Sequence, residues 1–414
     1  MRKWTSCFFL LSVFILFFTG CEGGANFENA LWDKDFFSND TEVAGQDILT
    51  MDDLEEYEQA TEEFDRYFES DCYGTYAYDL LSEAEKIWYR DINNMLGAFY
   101  EENVKLSPKG LEMGLTEKEI DKIYQSVLID HPEYFFVEGY EYVMYTSKDK
   151  LVGIKISGTY PYSKEEGKAR KAQIDSAVDS LLQTAPVNGS DYEKVKYVYE
   201  TLIFNTEYQM DAADNQNIYS VFVGHASVCQ GYSKATQYLL QRLGVECTLV
   251  FGEVKGNEGH SWNLVVADQE YYFLDTTWGD ASYTTADDKV QDWTLPNISY
   301  DYMCITTDQL TKTHKITHKL PLPECSAVEN NYYRKEGCYF TEYDEERIRQ
   351  LFLSALEEGK QHVTLKCSNS EVYENIYSEL LENQGIFEYL PDEYVNIAYI
   401  ENEQQLSLTF WMTN

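Results

Sequence analysis

Residues 224–233 read GHASVCQGYS, and they set Cys229 where a loop gives way to a helix. Downstream, Tyr232, Ala235, Leu239, Leu240 and Leu243 recur at helical spacing, and Gly244 supplies the stop. Two more stretches complete the pattern, EGHSWNLVV at 258–266 and YYFLDTTWGD at 271–280. Together they predict three successive strands behind one helix: Cys247 to Val254, His260 to Val266 and Tyr271 to Asp275. On the middle strand His260, Trp262, Leu264 and Val266 share a face, so the imidazole looks toward the layer that the apolar side chains must meet. A helix packed on strands in this order is an α+β core.

A cysteine in the first turn of a helix has its thiolate favoured by the macrodipole. That field is worth about 0.5–2 kcal/mol, at most roughly 1.5 pH units, too little to bring a thiol from about 8.5 to well below neutrality. A cationic partner is required. His260 suits the role, because a neutral imidazole can take the thiol proton and the imidazolium then holds the thiolate as an ion pair. Such an imidazole needs an acceptor to orient it, and Asp275 closes an apolar run where a carboxylate is otherwise out of place. Each residue alone has an ordinary reading: a small buried cysteine, a strand-edge histidine, an aspartate capping a turn. Their order on helix, strand and next strand favours the reactive reading.

His225 lies four residues before Cys229, too close to present its ring across the thiol, and reads as loop structure. His314 and His318 fall in a Lys-rich connector and suggest nothing. Trp262, Trp278 and Tyr219 are candidates for a substrate cleft, although strand spacing favours core for the two tryptophans. An oxyanion hole would use the Cys229 N–H and one more donor, with Tyr219, Asn217 and Gln216 as upstream candidates.

From about Tyr197 to Asp280 the chain resembles the transglutaminase-like superfamily. Bacterial members carry G-V-C-x-G-Y/F at a helix start, H-x-W-N on a strand and D-x-T-W at the next strand end; here these read SVCQGYS, HSWN and DTTW. Ser227 stands where glycine is usual two residues before the cysteine. The resemblance implies a papain-like core with Cys229 as nucleophile, His260 as general base and Asp275 as its orienter. It also implies a thioester formed from an amide of a protein or peptide, then passed to water or to an amine. The calcium dependence of animal members is not carried over, since no EF-hand-like acidic spacing is present. No cysteine pair has CxxC spacing and none sits with histidine in a zinc pattern, so neither a metal nor a cofactor is expected.

Around this core the 414 residues divide into further units. Arg2 and Lys3 precede an apolar run from Phe8 to Phe18, followed by Thr19, Gly20 and Cys21, which reads as a signal peptide over 1–20. FTGC resembles a bacterial lipobox, with Phe18 where leucine is usual, and makes Cys21 the expected lipidation site and membrane anchor. Residues 21–70 form an acidic tether: from Glu22 to Ser70 there are sixteen Asp or Glu against Lys34 and Arg66. Its later part, Leu54 to Phe68, keeps a helical spacing. Residues 71–186 predict an α+β domain. Capping boxes at Ser82/Glu85 and Thr116/Glu119 open two helices, the second stopping at His131-Pro132, and a hairpin follows from Phe135 to Ser157. A third capping box, Ser190/Glu193, opens the transglutaminase-like domain at 187–325. A connector from Cys304 to Glu324 leads to a C-terminal α/β domain at 332–414, with HVTLKC and VNIAYI as strands and helices near Glu345–Leu356 and Val372–Leu381.

Seventy-two acidic against 32 basic side chains, a formal charge of −40, would repel a phosphate backbone, so nucleic acid is excluded as a partner. A 44% hydrophobic content with 35 Tyr and 21 Phe excludes global disorder. Removing Cys7 with the signal and Cys21 to lipid leaves seven cysteines, an odd number that in a secreted chain leaves one thiol free. The expectation is a lipoprotein on the extracytoplasmic face of a bacterial membrane, acting as a cysteine protease, amidase or acyltransferase. The alternative is a surface binding or scaffolding protein that keeps the fold without turnover; the intact Cys-His-Asp order argues against it.

Overall fold

The computed structural model describes residues 44–46, 75–147, 150–254, 256–280, 298–360, 362–390 and 398–411. Cys21, Cys72 and the helix expected between Leu54 and Phe68 lie outside them.

Among the described residues three four-stranded sheets carry the fold, beside one two-stranded pairing. In the first, a hairpin of Gly139–Ser147 and Lys150–Thr159 is flanked by Ala44–Gln46 and Val104–Lys105. The hairpin starts at Gly139 rather than at Phe135, because Tyr134 to Val137 form a turn and Phe135 and Phe136 are spent in the core. Within the acidic stretch, Ala44–Gln46 pairs in parallel with Val143–Tyr145, so this part of the expected tether is docked on an open sheet edge. Both capping boxes form here. Ser82 opens helix Glu83–Gly97, and Thr116 opens a short 3₁₀ turn that runs into helix Ile120–Asp130.

The central sheet carries the site. Its strand order is His314–Ile316, Cys247–Val254, Glu258–Ala267, Glu270–Leu274, antiparallel throughout. Against it packs helix Cys229–Arg242, and helix Asp191–Asn205, opened by the Ser190/Glu193 box, lies beside that. Gly244 ends the Cys229 helix at φ +76°, the left-handed backbone that glycine adopts without strain. One continuous apolar cluster runs from Trp88 and Ile123 through Tyr199 and Leu239 to Leu274.

The stretch expected as a plain connector is ordered differently. It holds a short helix, Thr307–Leu310, with its own Thr306/Gln309 capping box, and then the edge strand of the central sheet. The three residues His314, Lys315 and Ile316 are too few to show a period, so only the pairing of His314 with Val254 and Ile316 with Gly252 reveals the strand.

The third sheet, Tyr339–Phe340, His362–Cys367, Ser407–Trp411 and Ala398–Asn402 in spatial order, is covered by helices Glu345–Glu357 and Ser370–Tyr377 around a second apolar cluster. A buried ion pair joins it to the body. Lys366 reaches Asp301 at 3.1 Å, and the other carboxylate oxygen of Asp301 accepts from Asn402 and Ser407. Cys229, Cys247, Cys304, Cys325, Cys338 and Cys367 are all unpaired. The expectation of a single free thiol is therefore not met; most of these thiols are buried and serve as small apolar groups. Among the described residues no helix is long and apolar enough to cross a membrane.

Candidate active site

Cys229 is the first residue of its helix, and Val228 before it is extended and offers no side-chain cap. The free N–H groups of the first turn therefore point at the thiol region. The approach to the helix is shaped by His225, whose backbone is left-handed at φ 54°, and by Ser227. Ser227 is fully buried, bonded to Asn215 O and Ser220 Oγ at 2.7 Å each, and it takes the place of the expected glycine by anchoring the turn. Gly231 is needed opposite it: a Cβ there would collide with Ser227 Oγ. His225 itself is exposed, with Nδ1 3.1 Å from Asn205 O, and takes no part in the site.

Each residue of HSWN has a separate task. His260 is hydrogen-bonded to the Cys229 thiol. Ser261 Oγ meets Ser233 Oγ at 2.9 Å, and Asn263 donates to Ser233 O at 2.9 Å, so two contacts clamp the His260 strand to the Cys229 helix. Trp262 is fully buried, which makes it core and removes it as a cleft residue. From the helix side Thr236 bonds Thr276 at 2.8 Å, tying in the Asp275 turn, and Tyr232 bonds both Thr206 O and Asp280.

Asp275 serves as cap and orienter at once, one oxygen for each. Oδ1 accepts from the Trp278 N–H at 3.0 Å and caps the short helix Thr276–Gly279; Oδ2 lies 2.7 Å from His260 Nε2. The carboxylate is 1% exposed and the imidazole 3%. Burial alone would raise the Asp275 carboxyl, but the His260 charge and the hydrogen bonds of His260 and His314 outweigh it and hold the group ionised, well below the usual range. Burial alone would lower His260, but Asp275 and the thiol raise it to about 10. Burial alone would raise Cys229, but the hydrogen bond and charge of His260, with Ser261, lower it. An ionised carboxylate only accepts, so the hydrogen in the Asp275 contact sits on His260 Nε2. Nδ1 is the nitrogen left for the thiol.

The remaining expectations divide. Trp278 is half-buried beside the His260 ring, 6.2 Å between centroids, and can face a substrate. Tyr219 is not at the site: its hydroxyl bonds Gln173 at 2.7 Å and its ring lies under Arg170, on the helix Lys164–Leu182. Asn217 is used locally, accepting from the Tyr219 N–H. The residue sequence reasoning missed is Tyr208. Its two-residue strand, Glu207–Tyr208, pairs in parallel with Ala226–Ser227, and this brings its half-buried side chain to Cys229, whose N–H meets the phenol oxygen. A tyrosine three residues beyond the end of helix Asp191–Asn205 is the one trace of it in the sequence. His314 was missed as well; its Nε2 lies 3.0 Å from Asp275 Oδ2.

Residues 182–278 match the family model described as the transglutaminase-like superfamily. The chain contains a transglutaminase-like domain. The match covers Cys229, His260 and Asp275 and leaves the flanking units outside. Among curated proteins, kyphoscoliosis peptidase of Mus musculus and of Homo sapiens are each 25% identical over 135 residues, 29% of this chain. The chain spans about a fifth of the length of these relatives (20%). Among solved structures, one described as a TGase is 14% identical and covers 37% of this chain and 54% of that one, at a TM-score of 0.25. The periplasmic domain of TgpA from Pseudomonas aeruginosa is 15% identical, covering 31% and 55%, at a TM-score of 0.21.

Proposed function

We propose that the transglutaminase-like domain is a cysteine-nucleophile acyl transferase or hydrolase acting on amide bonds of proteins or peptides. The observation that carries this reading is the buried His260–Asp275 contact of 2.7 Å, with the free face of the imidazole on a thiol at a helix start. In the resting site the thiolate and imidazolium form the ion pair. Sγ attacks the amide carbonyl carbon, and the charge moves to the carbonyl oxygen, which takes the Cys229 N–H in place of the Tyr208 oxygen that this N–H meets at rest. Collapse breaks the C–N bond, and His260 hands its proton to the departing amine, which leaves the acyl group as a thioester. His260 Nδ1 then takes a proton from water or from an incoming amine as that nucleophile attacks, and Cys229 leaves as thiolate. The lipobox-like FTGC ending at Cys21 supports a domain held by a lipid chain on the extracytoplasmic face of a bacterial membrane.

The test is acetylation of the purified chain by p-nitrophenyl acetate, read as an acetyl adduct on Cys229 by mass spectrometry. The wild type is expected to acetylate and turn over, with the acetyl group partitioning between water and added methylamine. A wild-type rate no greater than that of His260→Gln would overturn the reading and favour a non-catalytic binding protein.

A further inference from the structure

His314 enters from the edge strand of the central sheet and is fully buried at its side chain, 0% exposed. Its Nε2 lies 3.0 Å from Asp275 Oδ2, the same oxygen that His260 approaches at 2.7 Å. Because the carboxylate is ionised it can only accept, so His314 Nε2 carries hydrogen and donates. The other nitrogen, Nδ1, is 2.8 Å from the Thr313 hydroxyl, which in turn receives the Tyr302 hydroxyl at 3.3 Å. Burial, opposed by Asp275 and assisted by the nearby His260 charge, lowers His314 below its ordinary value. A neutral ring with Nε2–H on Asp275 and Nδ1 accepting the Thr313 hydrogen at 2.8 Å makes the shorter contact, in place of the 3.3 Å contact of Thr313 with the Leu310 carbonyl.

We propose that His314 is a positioning residue for the Cys229–His260–Asp275 group, locking the Asp275 carboxylate in the plane that His260 requires through a second hydrogen bond to Oδ2. Oδ1 is already held by the Trp278 N–H, so the His314 bond supplies the constraint on the other oxygen. A neutral donor suits this better than a lysine or arginine would. It fixes the carboxylate and leaves its full negative charge to face the imidazolium, whereas a cation would compete with His260 for that charge. The ring is itself wedged between Trp278, Trp262 and Tyr302, with centroids 4.6, 5.0 and 5.5 Å away, so the donor has little freedom to move. The titratable groups facing it are Asp275 from the turn after Leu274, His260 from its strand and Tyr302 from the segment leading to Ile305.

This inference rests on the proposed thiolate chemistry, and the experiment separates the two. Alkylation of Cys229 by iodoacetamide is followed against pH in the wild type, His314→Phe, His314→Gln and Thr313→Val, with melting temperature measured in parallel. His314→Phe keeps a ring in the pocket but removes the donor. The carboxylate is freed to turn, the imidazolium loses its fixed counter-charge, and the thiol moves back toward its ordinary value. A hydrogen bond to a buried charge is worth on the order of tenfold, so the midpoint of the alkylation profile should rise by about one pH unit. His314→Gln can place an amide N–H near the lost Nε2 and should retain the wild-type midpoint. Thr313→Val, which loosens the tautomer without touching Asp275, should shift the midpoint in the same direction by less, and it decides the question if His314→Phe does not fold. A low wild-type midpoint that neither Phe nor Val moves would overturn the His314 role and leave the acyl-transfer reading standing. A lowered midpoint in His314→Phe would mean that His314 only draws charge from Asp275, and overturns the proposal too. A wild-type midpoint near the ordinary thiol value would overturn both.

Discussion

Replacing Cys229 by serine removes an acid whose pKa the fold depresses, and the sign of its effect on stability separates an ion pair from a merely buried thiol. A group lowered in the folded state contributes stability above its unfolded value, here the ordinary 9.0, and loses it as pH falls toward the folded value. His260, raised to about 10 against an ordinary 6.5, is protonated in the fold between pH 6.5 and 8.5, whereas in the unfolded chain it is half protonated at pH 6.5 and neutral by about pH 7.5. Asp275, the larger of the two influences that raise His260, is unchanged in Cys229→Ser, so His260 keeps its proton there and its contribution, which falls with rising pH, largely cancels in the comparison. What remains is one proton bound by the unfolded cysteine and absent from the folded one. The stability of the wild type relative to Cys229→Ser should therefore shrink by about 1.4 kcal/mol per unit as pH falls, or about 2.7 kcal/mol from 8.5 to 6.5. Urea unfolding followed by tryptophan fluorescence at half-unit steps measures it. A difference that is flat over this window, with the His260 ring of Cys229→Ser shown by NMR titration to remain protonated, would show a protonated thiol in the fold and would refute the ion-pair reasoning.

Four further outcomes test other parts of the chain. Asp275→Asn should reduce the rate of Cys229 acetylation by on the order of 10³–10⁴, since the amide presents the wrong tautomer to His260; a loss under tenfold, seen by mass spectrometry, would leave Asp275 only its capping role. Lys366→Met strands Asp301 in a site that is 5% exposed and should destabilise the chain by roughly 3–5 kcal/mol, with Asp301→Asn in the same chain restoring most of it; urea midpoints test both. At Gly252 a Cβ would meet the Trp262 ring and the Lys315 carbonyl, so Gly252→Ala should prise the His314 strand from its neighbour and lose about 1–3 kcal/mol, read as a lowered melting temperature. Cys21→Ser should release the protein from the detergent phase into the aqueous phase, and wild-type protein already wholly aqueous would count against the lipid anchor.

Much of the chain was legible where the signal is local. Ser82, Thr116 and Ser190 open helices because a hydroxyl and a glutamate three residues on satisfy the free N–H groups of a first turn whatever surrounds them. The Cys229 helix and the three strands after it declare themselves through runs long enough to hold a period, and the order Cys229, His260, Asp275 could be read from those elements alone. Tertiary structure decided the rest. Tyr208 reaches Cys229 through a two-residue parallel bridge, His314 reaches Asp275 from a three-residue edge strand, and Asp301 meets Lys366 across 65 positions of chain. Such short segments carry no periodicity, and their partners are set by how whole sheets and helices close on one another. The same closure turned Trp262 into core and carried Tyr219 away to Arg170, because a side chain's face follows from its strand but its neighbours follow from packing.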